Sequence, residues 1–361
     1  MGCSTTKKRL RAVVVGLSAG AALVGTTDAM AATVDGTGGT LTYTATPGLV
    51  SDVSFDEGGG GTVFVDRTAF GFTRDNDPII ATGDCEETNA DPQEVTCVGI
   101  TTVVADAGDG DDSLVALGLT TIPATLRGGD GDDRVYGGDA NDSLSGGEGS
   151  DDLFGAAGND TVNGDGGDDF VNGGVGTDTV NGGDGDDFIG SSTTETVAAD
   201  AGDVYSGGSG LDQIFVAAAT DDEDETTDVF TPLPVTVTLD GAANDGRPGE
   251  GDNVLGDVEI ASGGQLGDTL VGNEATNQLS GSAGNDAIDG GRGNDILQGQ
   301  DGDDRITSRD GFADVVTCGA GNDVAAKRPT RTVLVSVAVC CEESTAMTVI
   351  AVRPTSAPVG R

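Results

Sequence analysis

Between residues 128 and 190 the chain repeats every nine residues, seven times without a gap: GGDGDDRVY, GGDANDSLS, GGEGSDDLF, GAAGNDTVN, GDGGDDFVN, GGVGTDTVN and GGDGDDFIG. A fixed short period restricts a chain to folds in which each unit stacks on its neighbours. Position one is always Gly, and position six is always Asp: Asp133, Asp142, Asp151, Asp160, Asp169, Asp178 and Asp187. Position eight is always aliphatic, from Val135 to Ile189. The unit reads as six turn residues and three strand residues. Glycines at positions one, two and four supply positive-φ backbone, and the residue at position eight points inward. Two nonads make one coil, so copies n and n+2 share a side about 4.8 Å apart. Asp133 then lies beside Asp151, Asp142 beside Asp160, and Asp169 beside Asp187.

Carboxylates stacked that closely repel one another unless an ion sits between them. The donors on offer are carboxylates and turn carbonyls, with no imidazole or thiolate in the repeat, a set that selects Ca²⁺ over transition metals. Mg²⁺ fits less well because it demands a small octahedron and holds its water. Composition points the same way. The 361 residues include 62 Gly and carry a formal charge of −45, and without a neutralising cation such a chain lacks the apolar surface to fold. The charge repels nucleic acid and anionic membranes. No His occurs anywhere, which excludes His-ligated zinc and triads that need His. No segment has the EF-hand spacing, and the Gly-rich runs are not phosphate loops, because no helix follows them.

In these nonads the chain resembles the secreted RTX-type (hemolysin-type nonapeptide repeat) calcium-binding proteins, in the form found in actinobacteria. The resemblance implies a parallel β-roll with multiple Ca²⁺ ions between successive turns, held by the Asp and by turn carbonyls. The repeat announces itself at 107–115 (AGDGDDSLV) with Asp112, and an insertion at 116–127 separates that copy from the array. After 190 the register breaks over 191–197, resumes weakly with Asp203, and improves at 207–215 with Asp212. A second array carries Asp268, Asp286, Asp295, Asp304 and Asp323, with Asn277 where an Asp belongs and ten residues in place of nine at 308–317. The implied metal ligands are Asp112, the seven Asp residues of the first array, Asp212, and those five.

The remainder divides around the arrays. Residues 1–31 read as a signal peptide, with Lys7, Lys8, Arg9 and Arg11 before an apolar run and Ala29-Met30-Ala31 at its end. Residues 32–105 alternate as a small N-terminal antiparallel β domain, with Cys85 and Cys97 expected to pair. Block 1 of the roll spans 106–215. Residues 216–262 form an insert with a strand pair and the acidic loop DDEDE at 221–225. Block 2 spans 263–326, and 327–361 form a C-terminal β cap. Cys318 is expected to pair with Cys340 or Cys341, which leaves one thiol open to an intermolecular bond in an otherwise monomeric chain. The expected fold class is thus all-β. The expected function is calcium binding in a secreted, non-enzymic structural or interaction module whose folding calcium drives. Its extracellular polysaccharide or protein partner is not specified by the sequence. The competing readings are a calcium-dependent polysaccharide-modifying enzyme and an adhesin or ice-binding surface. The adhesin needs a flat row of Thr or aromatics, where the outward positions are mixed Arg, Ser, Asp and Thr.

Overall fold

The computed structural model describes residues 32–46, 50–66, 79–87, 94–191, 202–215, 233–308, 310–327 and 338–339. All regular structure among them is β. A fifteen-stranded sheet takes strands from the whole described chain, a ten-stranded sheet belongs to its first part, and a five-stranded sheet accompanies the second array. Within the arrays every pairing is parallel, and between residues 125 and 190 it joins residues eighteen apart, for example Leu144 with Val162 and Val162 with Val180. The same holds on the other side, where Leu153 pairs with Val171 and Val171 with Ile189. Two nonads therefore close one coil. Across the ten-residue copy of the second array the spacing is nineteen. The aliphatic residues at position eight stack between the sheets, and Val135, Leu144, Leu153, Val162, Val171, Val180 and Ile189 are fully buried.

Three segments depart from the expected layout. Residues 116–127 are not an insertion between copies. Strand Ala124–Asp130 pairs with Thr102–Asp109 on one side and Ser143–Glu148 on the other, so this stretch is a lengthened half-coil with Ala124 in the place of the Asp. The N-terminal strands do not stand apart either. Antiparallel pairs do occur, Thr33–Thr37 with Thr40–Thr44 and Asp52–Gly58 with Thr62–Asp66. Thr40–Thr44 and Asp52–Gly58 nevertheless also pair in parallel with Thr102–Asp109 and Ser113–Gly118, which places them in the same two sheets as the roll. Cys85 and Cys97 form a disulfide.

The third departure is 216–262. Asn253–Val254 adds the last strand of the ten-stranded sheet, and Thr236–Thr238 adds the first strand of the five-stranded one. Ile260–Ser262 sits between Gln213–Phe215 and Gln278–Ser280, so the fifteen-stranded sheet passes through this region without a break. Asp245 fastens the change of sheet. Its Oδ1 accepts from Thr238 N and Thr238 Oγ1, and its Oδ2 from Val254 N at 2.8 Å. Backbone groups at a sheet edge need partners, and the segment supplies them in place of a separate strand pair. The acidic loop at 221–225 lies outside the described residues, as does the segment 1–31.

On the outer face of the fifteen-stranded sheet the expected mixture of polar residues is interrupted by an aromatic row. The ring centroids of Tyr136 and Phe154 are 5.0 Å apart, those of Phe154 and Phe170 5.2 Å, and those of Phe170 and Phe188 5.5 Å. Cross-strand ring pairs contribute roughly 0.2–1 kcal/mol each. Tyr136 and Phe154 are stacked, as are Phe170 and Phe188, while Phe154 and Phe170 are tilted by 36°, so the row tightens the stack of coils.

At the C-terminal end Val324–Lys327 continues the five-stranded sheet and Ala338–Val339 the fifteen-stranded one. Cys318 is buried and disulfide-bonded. Its expected partners, Cys340 and Cys341, lie outside the described residues.

Candidate metal centre

The Asp residues at position six form a continuous ladder on each side of the roll. Oδ1 of Asp151 accepts the N–H of Asp133 at 2.7 Å, and Oδ1 of Asp169 that of Asp151 at 2.8 Å. Oδ1 of Asp187 accepts from Asp169, and Oδ1 of Asp212 from Asp187. The other side runs through Asp142, Asp160, Asp178 and Asp203 in the same way. Asp112 bonds back to Ser51 N. In the second array the acceptors include Asp268, Asp286, Asp295, Asp304 and Asp323. These Asp residues are buried, except Asp323, which is half-buried. The carboxylates therefore do not simply face one another bare, as the sequence suggested. One oxygen of each is satisfied by the coil before it.

The second oxygen is the one free to act. Oδ2 of Asp112, Asp133, Asp151, Asp160, Asp169, Asp178, Asp187, Asp212, Asp286, Asp304 and Asp323 is buried with no hydrogen-bond partner. A buried anionic oxygen left in that state costs more than a hydrogen bond returns, and a chain keeps such atoms where something else engages them.

Position one explains where that something fits. The glycine there does not have positive φ, contrary to the reading from sequence; positive φ is confined within the nonad mainly to positions two and four, as at Gly129, Gly131, Gly147 and Gly149. Glycine is required at position one because the space of its missing side chain is taken. A Cβ on Gly146 would stand 2.2 Å from Asp151 Oδ2 and 2.7 Å from the carbonyl oxygen of Gly164. On Gly164 it would meet Asp169 Oδ2 at 2.2 Å and Gly182 O at 2.3 Å. On Gly299 it would meet Asp304 Oδ2 at 2.2 Å and Cys318 O at 2.3 Å. A carboxylate oxygen and a carbonyl from the next coil thus converge on one small space, repeatedly along the roll. Hard oxygens converging without nitrogen or sulfur suit Ca²⁺, whose ligand distances are about 2.3–2.6 Å.

Three ladder members, Asp314, Asp252 and Glu259, are not marked by the full nonad pattern. Asp314 belongs to the ten-residue copy; its Oδ1 accepts from Asp295 N, and the carboxylate oxygens of Asp295, Asp310 and Asp314 lie within 4.8 Å of one another. Asp203, a weak copy by sequence, is a full member: its Oδ1 accepts from Asp178 N at 2.7 Å. Asp252 and Glu259 carry the ladder into the segment 216–262, accepting from Asp203 N and Asp212 N. Each of these last two lies two residues before a buried Val254 or Ala261, the six-to-eight spacing of the nonad, which was the available signal. A second ladder at position five also went unread. Oδ1 of Asp132 accepts from Ser150 N, Asn159 from Thr177, and Asp168 from Asp186. It points the opposite way along the roll and accounts for the recurrent Asp or Asn there.

Burial dominates the ionisation of the ion-free ladder. It pushes Asp133, Asp169 and Asp178 up to about 7 and Asp160 to about 8, against the opposing effect of the N–H each accepts. Asp151, Asp212, Asp286 and Asp295 rise to about 6. Raised carboxyl pKa values mean that the folded ion-free chain holds more protons than the unfolded one between about pH 4 and pH 8, so its stability falls as pH rises through that window. In calcium-free buffer the thermal midpoint is expected to be higher at pH 5 than at pH 8, and calcium affinity to weaken as pH falls. Melting curves followed by circular dichroism check this, and a midpoint that climbs with pH would refute it.

A family model for the RTX calcium-binding nonapeptide repeat, in four copies, matches residues 125–153, 154–189, 262–297, 281–315 and 289–325. No curated protein matches the chain. The ladder extends beyond the matched stretches, to Asp112 on one side and through Asp212, Asp252 and Glu259 between them.

Proposed function

We propose that this chain, which carries RTX calcium-binding nonapeptide repeats, is a secreted, non-enzymic module that folds on meeting calcium outside the cell and then serves as an extracellular structural or interaction element. The observation that supports this reading most directly is the file of buried carboxylate oxygens without partners, eight of them beside a main-chain carbonyl of a neighbouring coil. Ligation is assigned to Asp112, Asp133, Asp151, Asp160, Asp169, Asp178, Asp187, Asp212, Asp286, Asp304 and Asp323, with Asp295 beside Asp310 and Asp314. When bound, the ions supply positive charge between coils. The residues of the chain do the rest: position six offers Oδ2, position one leaves the space, and position eight holds the coils in register. Extracellular calcium modules work at about 10⁻⁴ to 10⁻³ M, a range in which such a roll would fold after export and stay unfolded at cytosolic calcium levels. The basic and apolar segment at 1–31 supports export.

Calorimetric titration of the chain with calcium tests the assignment. Asp169→Ala is expected to lower the number of bound ions and weaken those on neighbouring coils, since it removes an orphaned Oδ2 and the acceptor of Asp151 N. Asp184→Ala removes the same charge at an exposed position outside the ladder and is expected to leave the count unchanged. Equal effects of the two substitutions would reduce calcium binding to bulk charge and defeat the ligand assignment.

A further inference from the structure

Most rungs of the ladder fall into two kinds that the backbone at position two separates; Asp203, whose Oδ2 accepts from Tyr205 Oη at 2.8 Å, stands outside both. All eleven Asp residues whose Oδ2 has no partner have positive φ four residues earlier. For seven of them that residue is Gly, as at Gly129 and Gly147. For the other four it is Ala156 (78°), Asp165 (76°), Ser282 (72°) and Gln300 (77°), which are the four non-glycine residues with positive φ among the described residues. A strained conformation at one repeat position in four unlike side chains is imposed by the site, not by residue preference.

Three rungs are built the other way. Gly138 N donates to Asp142 Oδ2 at 2.6 Å, Gly264 N to Asp268 Oδ2 at 2.6 Å, and Asn273 N to Asn277 Oδ1 at 2.9 Å. Gly138, Gly264 and Asn273 are not among the residues with positive φ. Here the position-two N–H closes the side chain that is open elsewhere. The neighbour below does not decide the matter. Asp142 stands above Ala124 and Asp268 above Val235, neither with a carboxylate, but Asp112 stands above Ser51 and is open, with Gly108 at 98°.

We propose that the position-two backbone decides which rungs take calcium: rungs with positive φ there bind an ion, and the rungs of Asp142, Asp268 and Asn277 hold together without one through the position-two N–H. This rests on the calcium reading above and deepens it. An N–H aimed at the carboxylate occupies the oxygen and presents a positive dipole to an arriving cation, so a closed rung both lacks a free ligand and repels the ion. The Asp142 and Asp268 rungs separate this idea from the simpler one that the Asp alone decides, because they keep the Asp and lack the positive φ; at Asn277 both features differ and can be restored one at a time.

Equilibrium dialysis of the full chain with radiolabelled calcium, at saturation, gives the test. N277D alone is expected to leave the ion count at the wild-type value, whereas N273G/N277D, in which glycine admits positive φ, is expected to add one ion. Conversely A156V, which disfavours positive φ without touching a carboxylate, is expected to lose at least one ion, and A156G to keep them all. An extra ion in N277D alone, none in the double variant, or an unchanged count in A156V overturns the proposal. Circular dichroism in saturating calcium accompanies each count; should A156V fail to fold, the two Asn277 variants decide by themselves. A wild-type chain that binds no calcium would overturn the calcium reading and this one with it. Wild-type binding with counts contrary to these overturns this one alone.

Discussion

Chelation of calcium at pH 8 is expected to abolish most of the far-UV β signal of the chain, and readdition of calcium to restore it cooperatively. Among the described residues the ladder includes eleven buried Asp Oδ2 atoms with no partner. Left unsatisfied at about 1–3 kcal/mol each, more for charged groups, they together outweigh the roughly 5–15 kcal/mol by which a domain is ordinarily stable. The core is narrow and cannot absorb that deficit: in the arrays each strand contributes about one inward aliphatic side chain, such as Leu153 or Val171, to a single file. Chelation at pH 5 should do less damage, because protons then occupy oxygens that burial has already shifted towards protonation. A spectrum at pH 8 that is equally β-rich with and without chelator would end the case for ion-driven folding.

The second large effect is expected from a single side chain at position one. Gly164→Val would place atoms against Asp169 Oδ2 and the carbonyl oxygen of Gly182, with the first of them 2.2 and 2.3 Å away. Overpacking alone costs about 1–3 kcal/mol, and here the intruding group also fills the space in which the two oxygens converge. The calcium concentration needed for folding should rise at least several-fold, and the number of bound ions should fall. Gly166→Ala, two residues on, is the matched control. Its Cβ would meet nothing nearer than Glu148 Oε2 at 3.6 Å, so it should titrate as wild type. If the two variants behaved alike in a calcium titration followed by circular dichroism, position one would have no special part in the site.

Much of this was legible in the nonad itself. Position eight announced the buried file and position six the ladder, because burial and charge leave a strict trace when the period is fixed. The reason for glycine at position one was not legible. Gly is compatible equally with positive φ and with an absent Cβ, and only the neighbouring coil's carbonyl tells the two apart. Ala124, Asp252 and Glu259 were hidden for a related reason. Each keeps the backbone role of position six, accepting or giving the ladder hydrogen bond, while the glycines around it are lost. A reading tuned to Gly and Asp passes over them. The aromatic row escaped because its rings alternate between positions seven and nine. Tyr136 and Phe154 occupy position nine and Phe170 and Phe188 position seven, which meet only when adjacent strands are laid side by side.

The ladder bonds also bear on how such a chain can change in length. Partners are eighteen residues apart within the first array, but 21 apart between Asp112 and Asp133, 25 between Asp187 and Asp212, and 19 between Asp295 and Asp314. Whatever the number of intervening residues, the rungs on either side keep their bond. Register is thus kept by each coil's grip on the next and not by a running count along the polypeptide. Duplication or loss of a whole coil would leave every remaining contact of its kind in place, and a foreign peptide grafted into the turn before Ala124 would ride on the outside. A scaffold of this kind can be resized by recombination without a new core having to evolve.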